Sequence, residues 1–272
     1  MTNLDSYKQQ LKEFYGSRTT YDHEEGTRHP LEAKLLLEFV TLHSGQKILD
    51  VATGTGLIAI PASEKVGLDG SVIGIDMTPA MLHQARLKIA AARLQNIELI
   101  EADAEYFNFS ESSFDVVFCC EAIVLFPDII AILKKWYRFL KPGGFVAFTC
   151  PPETAFMASL QQRVCARVLG VSLPHILEAL GTPEKCRNLL NQAGFRDIEI
   201  KIEPSGRYRY LRDNRLSETE ININFKGNPL LSRLSQEKLN QLQVEYKTEI
   251  EKLATDQGIW EDTTKFFVRA RK

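Results

Sequence analysis

Runs of apolar residues recur through the first half of the chain, and within each run successive positions are apolar rather than alternate ones. β-Branched and aromatic side chains are common in these runs. This pattern is typical of strands that are covered on both faces, as in a parallel sheet. We predict strands at residues 47–52, 71–76, 97–102, 114–120 and 143–150.

Helical patterns separate these runs. Thr78 followed by Pro79 predicts a helix start, and the helix should extend to about Arg93. The segment 140–144, Leu-Lys-Pro-Gly-Gly, predicts the end of another helix. Alternation of strands and helices over residues 45–150 predicts right-handed βαβ units, and therefore an open, doubly wound α/β sheet.

After residue 150 the chain changes to longer helical patterns separated by two strand runs. Helices are predicted to end near Gly170, to begin at Thr182 and to begin near Ser235, with strands at 198–202 and 263–270.

The closing strand follows a long helical insertion, and we expect it to return to the same sheet. We therefore predict one domain at residues 44–272, preceded by an N-terminal helical lid at residues 1–43. Helical cover insertions are expected at about 152–181 and 206–258. The apolar face at 239–253 can serve a homodimer, although packing within the chain is favoured.

Composition indicates a globular protein with a sizeable core. The chain has 272 residues, of which 44% are hydrophobic and 25% are charged, and its formal net charge is −2. Near-neutral charge supplies no attraction for a polyanion, so we expect no nucleic-acid partner. The apolar stretch 116–126 is too short to span a bilayer, and the charged N-terminus does not resemble a signal peptide. We expect a soluble, cytoplasmic protein.

Five cysteines are scattered along the chain, and Cys119, Cys120 and Cys150 lie within apolar runs. Cysteine in such surroundings usually behaves as a small hydrophobic residue. Without a C-x-x-C spacing or a Cys/His cluster, the sequence predicts reduced, buried thiols and no metal site.

A glycine-bearing turn, Asp50-Val-Ala-Thr-Gly54-Thr-Gly56, follows the first strand and precedes a helix. Glycines there let the backbone pass close to a ligand, and the helix start supplies free N–H groups. With Ala59, the turn also fits the dinucleotide pattern G-x-G-x-x-A. Asp76 ends the second strand about 20 residues later, where a carboxylate can bind ribose hydroxyls. These residues fit any nucleoside-bearing cofactor.

Two acidic positions indicate which nucleoside-bearing cofactor the site suits. The Asp50 carboxylate would repel a pyrophosphate but suits a cationic aminoacyl group. The acidic segment 101–105 ends the third strand, where it can accept a hydrogen bond from an adenine amine. The Lys-Pro-Gly-Gly turn at 141–144 then leads into the fifth strand.

Together these motifs resemble the class I S-adenosylmethionine-dependent methyltransferases, particularly the small-molecule branch that includes the ubiquinone/menaquinone methyltransferases. The resemblance covers residues 47–150 and extends to 182–200. It implies a Rossmann-like, mostly parallel seven-stranded sheet whose last strand is antiparallel. It also implies S-adenosylmethionine as cofactor and S-adenosylhomocysteine as product.

The resemblance implies roles for the residues of the first two motifs. Asp50, Gly54 and Gly56 would hold the methionyl end of the cofactor. Asp76 would bind both ribose hydroxyls, and Met77 would pack on the adenine ring.

Further cofactor contacts are implied on three other segments. Asp103 would accept from the adenine N6 amine, and the Ala104 backbone would serve N1. The backbone of Cys119 would face the methionyl group. In the lid, Tyr21 and Arg28 would close on the cofactor carboxylate.

The catalytic group is harder to predict, because methyl transfer needs alignment and water exclusion more than covalent help. Relatives commonly have histidine at positions 124–125, where this chain has valine and leucine. Glu121 and His175 are the candidate bases; alternatively, Glu121 is a surface or capping carboxylate and His175 a core or solvated histidine. Nothing in the sequence chooses between the lid histidines His23 and His29.

The sequence thus predicts methyl transfer to an O, N or C atom of a small metabolite. The chain lacks an N-P-P-Y motif after the fourth strand and a basic stripe for nucleic acid. Two alternatives stay open: a cofactor-binding protein that acts through a partner without its own turnover, and an NAD(P)-dependent oxidoreductase.

Overall fold

The computed structural model describes residues 3–23, 28–170, 176–209 and 234–272. The chain forms two compact units, which are described separately. The sheet unit comprises Phe14–Cys150, Thr182–Ile202 and Phe266–Lys272, and the second unit comprises Met1–Glu13, Pro151–Gly181 and Glu203–Lys265.

Strands and helices alternate through the described residues. The strands are β1 Lys47–Val51, β2 Ser71–Asp76, β3 Ile97–Glu101, β4 Phe114–Cys119, β5 Leu140–Cys150, β6 Arg196–Glu203, β7 Gly206–Arg209, β8 Ile259–Asp262 and β9 Lys265–Arg271. The helices are α1 Asn3–Gly16, α2 His29–Phe39, α3 Ala59–Val66, α4 Pro79–Ala92, α5 Ile129–Phe139, α6 Ala158–Leu169, α7 Pro183–Ala193 and α8 Gln236–Glu251, with short 3-10 helices at Tyr21–His23, Ile123–Leu125 and Ala155–Met157.

The sheet unit contains a seven-stranded sheet in the order β3-β2-β1-β4-β5-β9-β6. β1 pairs in parallel with β2 and β4, β2 with β3, and β4 with β5, whereas β9 runs antiparallel to β5. Ile48 and Leu49 are adjacent on β1 and both are fully buried, as expected for a strand covered on both faces. The predicted doubly wound sheet with an antiparallel last strand is confirmed.

Predicted helix starts are also confirmed. Thr182 caps α7, with its hydroxyl accepting from the amide of Lys185 at 3.2 Å, and Ser235 caps α8 by accepting from Lys238 at 3.3 Å. α4 begins at Pro79 and ends before Arg93, whose φ of 54° places it in the left-handed region.

The helix end predicted at 140–144 is confirmed, because α5 has Leu140 as its C-cap residue, but the strand begins at Leu140 rather than at Gly143. α5 ends at Phe139, and β5 begins directly at Leu140, so the Lys-Pro-Gly-Gly segment belongs to the strand. The pairing of β5 with β4 is irregular at this segment, because Leu140 pairs with Phe114 and the next pair is Phe145 with Val116. The Gly144 carbonyl accepts from the Lys272 amide at 2.9 Å, and a Cβ on Gly144 would lie 2.8 Å from the Asp115 carbonyl. Glycine is needed because the neighbouring backbones approach so closely.

The second unit has a core between two helices. α6 and α8 bury a common apolar cluster, in which Tyr246 of α8 also lies within 3.4 Å of Gln161. The remaining members are Leu160, Val164, Cys165, Leu242, Ile250 and Ile259. This packing covers Leu242, Tyr246 and Ile250 of the apolar face that had suggested a homodimer, whereas Leu253 is exposed. At the surface beside this core, Arg167 of α6 forms ion pairs with Glu245 and Glu249 of α8.

The insertion predicted as helical from residue 206 instead begins with a strand. β7 pairs antiparallel with β8, and Trp260 lies across Gly206, where a Cβ would approach its ring to 2.0 Å. Residues 210–233 of that insertion lie outside the described residues. Within the described part of the chain, no helix is both long and apolar enough to cross a membrane.

Gly74 in the middle of β2 should resist enlargement. A Cβ there would lie 2.8 Å from the side chain of Leu99 and 2.9 Å from that of Thr53. We expect Gly74→Ala to lower the free energy of unfolding by about 1–3 kcal/mol in urea titrations, because overpacking displaces neighbours. Gly16→Ala, whose Cβ would be 3.8 Å from Thr78, is the control. Equal stability of the two variants would contradict the close packing.

Candidate active site

The carboxyl ends of the parallel strands bring the predicted site residues to one edge of the sheet. Asp50 of β1 is in register with Gly74 of β2, and Asp76, which ends β2, is in register with Glu101 of β3. Cys119 ends β4 on the other side of β1. This edge is where ligands bind in open α/β sheets. The glycine loop, residues 52–58, crosses it between β1 and α3.

Asp50 ties the glycine loop to the start of α3. Its Oδ2 accepts from the Thr53 hydroxyl at 2.6 Å and from the Ala59 amide at 3.1 Å. The side chain is buried, and burial raises the pKa of Asp50 from 3.8 to about 7, against the two hydrogen bonds, which lower it. The carboxyl group therefore titrates near neutral pH.

Asp76 ties the same loop to the start of α4. Its Oδ2 accepts from the Gly54 amide at 2.9 Å, and its Oδ1 accepts from the Thr78 amide at 2.8 Å. Burial raises the pKa of Asp76 above its ordinary value, opposed by these hydrogen bonds. The two strand-end carboxylates thus hold opposite sides of one loop.

Every second residue of the glycine loop from 52 to 56 has a left-handed backbone conformation. Ala52, Gly54 and Gly56 have φ angles of 55°, 54° and 85°. Glycine adopts this conformation freely, whereas alanine does so at a cost of about 1 kcal/mol or more. Ala52 is therefore a strained position that the surrounding hydrogen bonds maintain.

A lysine that was not among the predicted site residues binds the backbone of the segment after β3. Lys135 of α5 donates to the carbonyls of Ala104 at 3.3 Å and Glu105 at 2.7 Å. Asp103 stabilises the same turn, with its Oδ1 accepting from the Glu105 amide at 2.9 Å. Burial of the ammonium group lowers the pKa of Lys135. Met77 lies half-buried beside Asp76.

Asp22 attaches the N-terminal segment to the glycine loop. Its Oδ1 accepts from the Thr55 hydroxyl at 2.5 Å, and its Oδ2 pairs with the Lys88 ammonium of α4 at 2.6 Å. The carbonyl of Arg18 accepts from Gln84, also on α4, at 3.1 Å. Asp22 was not among the predicted site residues.

Tyr21 and His29 stack in parallel, with ring centroids 4.4 Å apart and an interplanar angle of 2°. The Arg18 guanidinium lies 4.5 Å from the Tyr21 ring centroid and 3.4 Å from His29 Nε2. Since arginine only donates, Nε2 is assigned as the acceptor. His29 Nδ1 then faces Glu32 Oε2 at 3.9 Å. Burial raises the pKa of Tyr21, so its hydroxyl stays protonated.

Glu121, directly after β4, has a φ of 60°, in the left-handed region. Its amide donates to the Thr149 hydroxyl oxygen at 2.8 Å, and that hydroxyl donates to Glu121 Oε1 at 2.7 Å. His175, the other candidate base, lies outside the described residues.

A cleft that is open to solvent is lined by several of these groups within the sheet unit. From the predicted set it is lined by Tyr21, Asp50, Gly54 and Glu121. Of the predicted cofactor residues in the described part of the chain, seven do not line this cleft: Arg28, Gly56, Asp76, Met77, Asp103, Ala104 and Cys119. The other lining residues are His29, Ala52, Thr53, Thr55, Leu57, Ile58 and Cys120.

The cysteines are thiols, as predicted. All five are free, and four of them, including Cys119 and Cys150, are buried, whereas Cys120 is half-buried. Burial raises the pKa of Cys119 and Cys120 well above the ordinary value. Neither thiol would ionise at neutral pH.

Sequence comparison identifies a family for this chain. A model described as a methyltransferase domain matches residues 48–144. Aklanonic acid methyltransferase DauC from Streptomyces sp. (strain C5) is 35% identical over 147 residues, covering 54% of this chain and 67% of that protein. Demethylmenaquinone methyltransferase from Listeria monocytogenes serotype 4a (strain HCC23) is 36% identical over 114 residues, covering 42% of this chain and 48% of that protein. The chain thus matches about half the length of the second relative.

Structural comparison agrees on the fold. The YcgJ protein from Bacillus subtilis superposes with a TM-score of 0.61 at 15% identity, covering 90% of this chain and 99% of that chain. At this identity the likeness concerns the fold alone.

The buried carboxyl group of Asp50 should make stability depend on pH. Its pKa is about 7 in the folded protein against 3.8 as the ordinary value, so the folded state holds the proton more tightly. Its contribution to the free energy of unfolding is complete below about pH 4 and is lost as pH rises to 7, by at most about 4 kcal/mol. Urea unfolding from pH 4 to 8 should show this decline, and Asp50→Asn should reduce its slope. An unchanged slope in the variant would contradict the assigned pKa.

Proposed function

This chain belongs to the class I S-adenosylmethionine-dependent methyltransferases, and from that membership we propose that it methylates a small-molecule acceptor with S-adenosylmethionine. The observation that carries the proposal is that two carboxylates, the buried Asp50 and the half-buried Asp76, hold the glycine loop beside an open cleft. Family membership decides against the NAD(P)-dependent oxidoreductase.

The charge of the cleft supports this cofactor. S-Adenosylmethionine carries a sulfonium and an ammonium group, and both are attracted to carboxylates. Asp50 and Glu121 both line the cleft. Because the pKa of Asp50 is about 7, a bound cation readily ionises it. A dinucleotide pyrophosphate would instead be repelled.

Asp76 can bind a ribose without releasing the loop. Each carboxylate oxygen can accept more than one hydrogen bond, so the contacts with the Gly54 and Thr78 amides do not use the whole accepting capacity of the carboxylate. We therefore propose that Asp76 binds the ribose hydroxyls of the cofactor. Met77, Asp103 and the backbone of Ala104 complete the proposed nucleoside site along the same edge.

At the other end of the cofactor, Gly54 and Gly56 would approach the methionyl group, and Cys119 would face it through its backbone. Tyr21 would cover the cleft, and the Asp22–Thr55 hydrogen bond would hold that cover on the loop. Covering excludes water and keeps the acceptor in line with the reacting bond. We also propose that Arg28 binds the carboxylate of the cofactor.

When bound, S-adenosylmethionine supplies the methyl group and leaves as S-adenosylhomocysteine. The protein aligns an O, N or C nucleophile for in-line attack. Where that nucleophile carries a proton, we propose Glu121 as its acceptor, because the carboxylate lines the cleft. His175 stays the second candidate for that role.

The acceptor is proposed to be a small metabolite in the cytoplasm rather than a nucleic acid. The formal net charge of −2 offers no general attraction to a polyanion. The two reported relatives are named for methylation of aklanonic acid and demethylmenaquinone. Both names denote small molecules, which supports this class of acceptor without identifying it.

Calorimetric titration with S-adenosylmethionine tests the cofactor assignment. We expect micromolar binding to the wild-type protein and none of NADPH. Asp76→Ala should weaken binding about 10- to 100-fold, because a charge-assisted bidentate contact is lost. Asp69→Ala is the matched control, since Asp69 is exposed just before the opposite end of β2. Thermal unfolding should verify that both variants fold.

Absence of S-adenosylmethionine binding to folded wild-type protein would contradict the proposed function. Saturable binding without turnover of any acceptor in metabolite extracts would favour the cofactor-binding protein that acts through a partner.

A further inference from the structure

Glu121 occupies a conformation that its side chain does not favour. A φ of 60° is left-handed, and non-glycine residues adopt it only when their surroundings impose it. The residue follows β4 and lines the cleft together with Asp50 and Gly54. The unfavourable backbone therefore places a carboxylate next to the glycine loop.

Thr149 supplies two constraints on this conformation. Its hydroxyl oxygen accepts from the Glu121 amide at 2.8 Å and fixes the backbone, while its hydroxyl proton goes to Glu121 Oε1 at 2.7 Å and fixes the side chain. Thr149 is itself immobilised, because it is buried on β5 and paired with Phe267 of β9. A rigid central strand thus carries the group that orients the carboxylate.

We propose that Thr149 is a positioning residue that fixes the Glu121 carboxylate toward the sulfonium end of the cofactor, so that the site favours S-adenosylmethionine over S-adenosylhomocysteine. This inference rests on the proposed function and adds a residue and a role to it. Thr149 acts through Glu121 and touches neither cofactor nor acceptor.

The argument follows from the charges of the two ligands. They share the nucleoside, the ammonium group and the carboxylate, but only the substrate carries a positive sulfur. A fixed carboxylate in a cleft attracts that charge and does not attract the neutral thioether of the product. A carboxylate free to turn into water would be screened and would discriminate less.

The test compares four proteins by calorimetric titration with S-adenosylmethionine and with S-adenosylhomocysteine: wild type, Glu121→Gln, Thr149→Val and Thr149→Ser. The ratio of the two dissociation constants is the readout. Glu121→Gln and Thr149→Val should both shift this ratio against S-adenosylmethionine by about tenfold, the effect of one nearby charge. Thr149→Ser keeps the hydroxyl and should retain most of the wild-type preference.

Glu121→Gly is the variant that guards against a purely structural effect. It removes the carboxylate and also relieves the left-handed strain, so it should lose the preference while unfolding no earlier than wild type. If the strained backbone of Glu121 serves ligand binding rather than folding, the variant loses its ligand preference without losing thermal stability. This variant also tests the role of Glu121 if Thr149→Val fails to fold.

Several results would overturn the proposal. Equal weakening of both ligands in Thr149→Val would mean that the residue only supports the fold. An unchanged ratio in Glu121→Gln would mean that the carboxylate does not face the sulfonium. Failure of the wild-type protein to bind either ligand would instead contradict the proposed function, so the two failures are distinguishable.

Discussion

Two carboxylates, the buried Asp50 and the half-buried Asp76, hold the glycine loop between them, and the geometry of the site depends on these contacts. Each accepts a backbone amide from the loop or from the helix that follows, and Asp50 also accepts the Thr53 hydroxyl. Burying charge is unfavourable, which is why the pKa of each carboxyl group is raised. A cation in the cleft would offset part of this cost.

The cover over the cleft depends on the same loop. Asp22 bonds to Thr55, and its second oxygen pairs with Lys88 on the helix that starts at the Asp76 end of β2. Tyr21, next in the chain, lines the cleft and stacks on His29. The position of the N-terminal segment from Phe14 onward is therefore set by groups that Asp50 and Asp76 hold in place. Binding at the loop and closure of the cover should be coupled.

On the opposite wall, rigidity comes from the sheet. Glu121 follows a central strand, and the Thr149 hydroxyl on the adjacent strand restrains both its backbone and its carboxylate. The Lys135 ammonium plays a comparable part under the segment that carries Asp103 and Ala104. Each wall of the proposed site is thus supported by a residue on a different element, which limits how far the walls can move apart.

Local patterns explain which features could be predicted from the sequence. The strands appear as apolar runs, and Asp50, Gly54 and Asp76 lie in short segments next to strand ends, so their position at one edge follows from parallel pairing. The supporting contacts have no such signal. Thr55 and Asp22 are 33 residues apart, and Thr149 and Glu121 are 28 apart, so only tertiary packing brings them together.

The start of β5, three residues earlier than predicted, has the same origin. Proline and glycines favour a turn locally, but pairing with the chain terminus keeps Gly144 within the strand. Strand β7, at the start of the insertion after residue 206, was not predicted because its partner β8 begins some fifty residues later in the chain. Local propensity was overridden at both places by partners distant in sequence.

The coupling between a cationic ligand and the buried carboxyl group of Asp50 is the central claim, and proton release on binding tests it most directly. S-Adenosylmethionine would be titrated at pH 7 in buffers of different ionisation enthalpy, with the wild-type protein and with Asp50→Asn. Because the pKa of Asp50 is about 7, binding of a cation should expel part of a proton from the wild-type protein. The variant should release less. Binding without proton release, or with equal release in both proteins, would contradict the account.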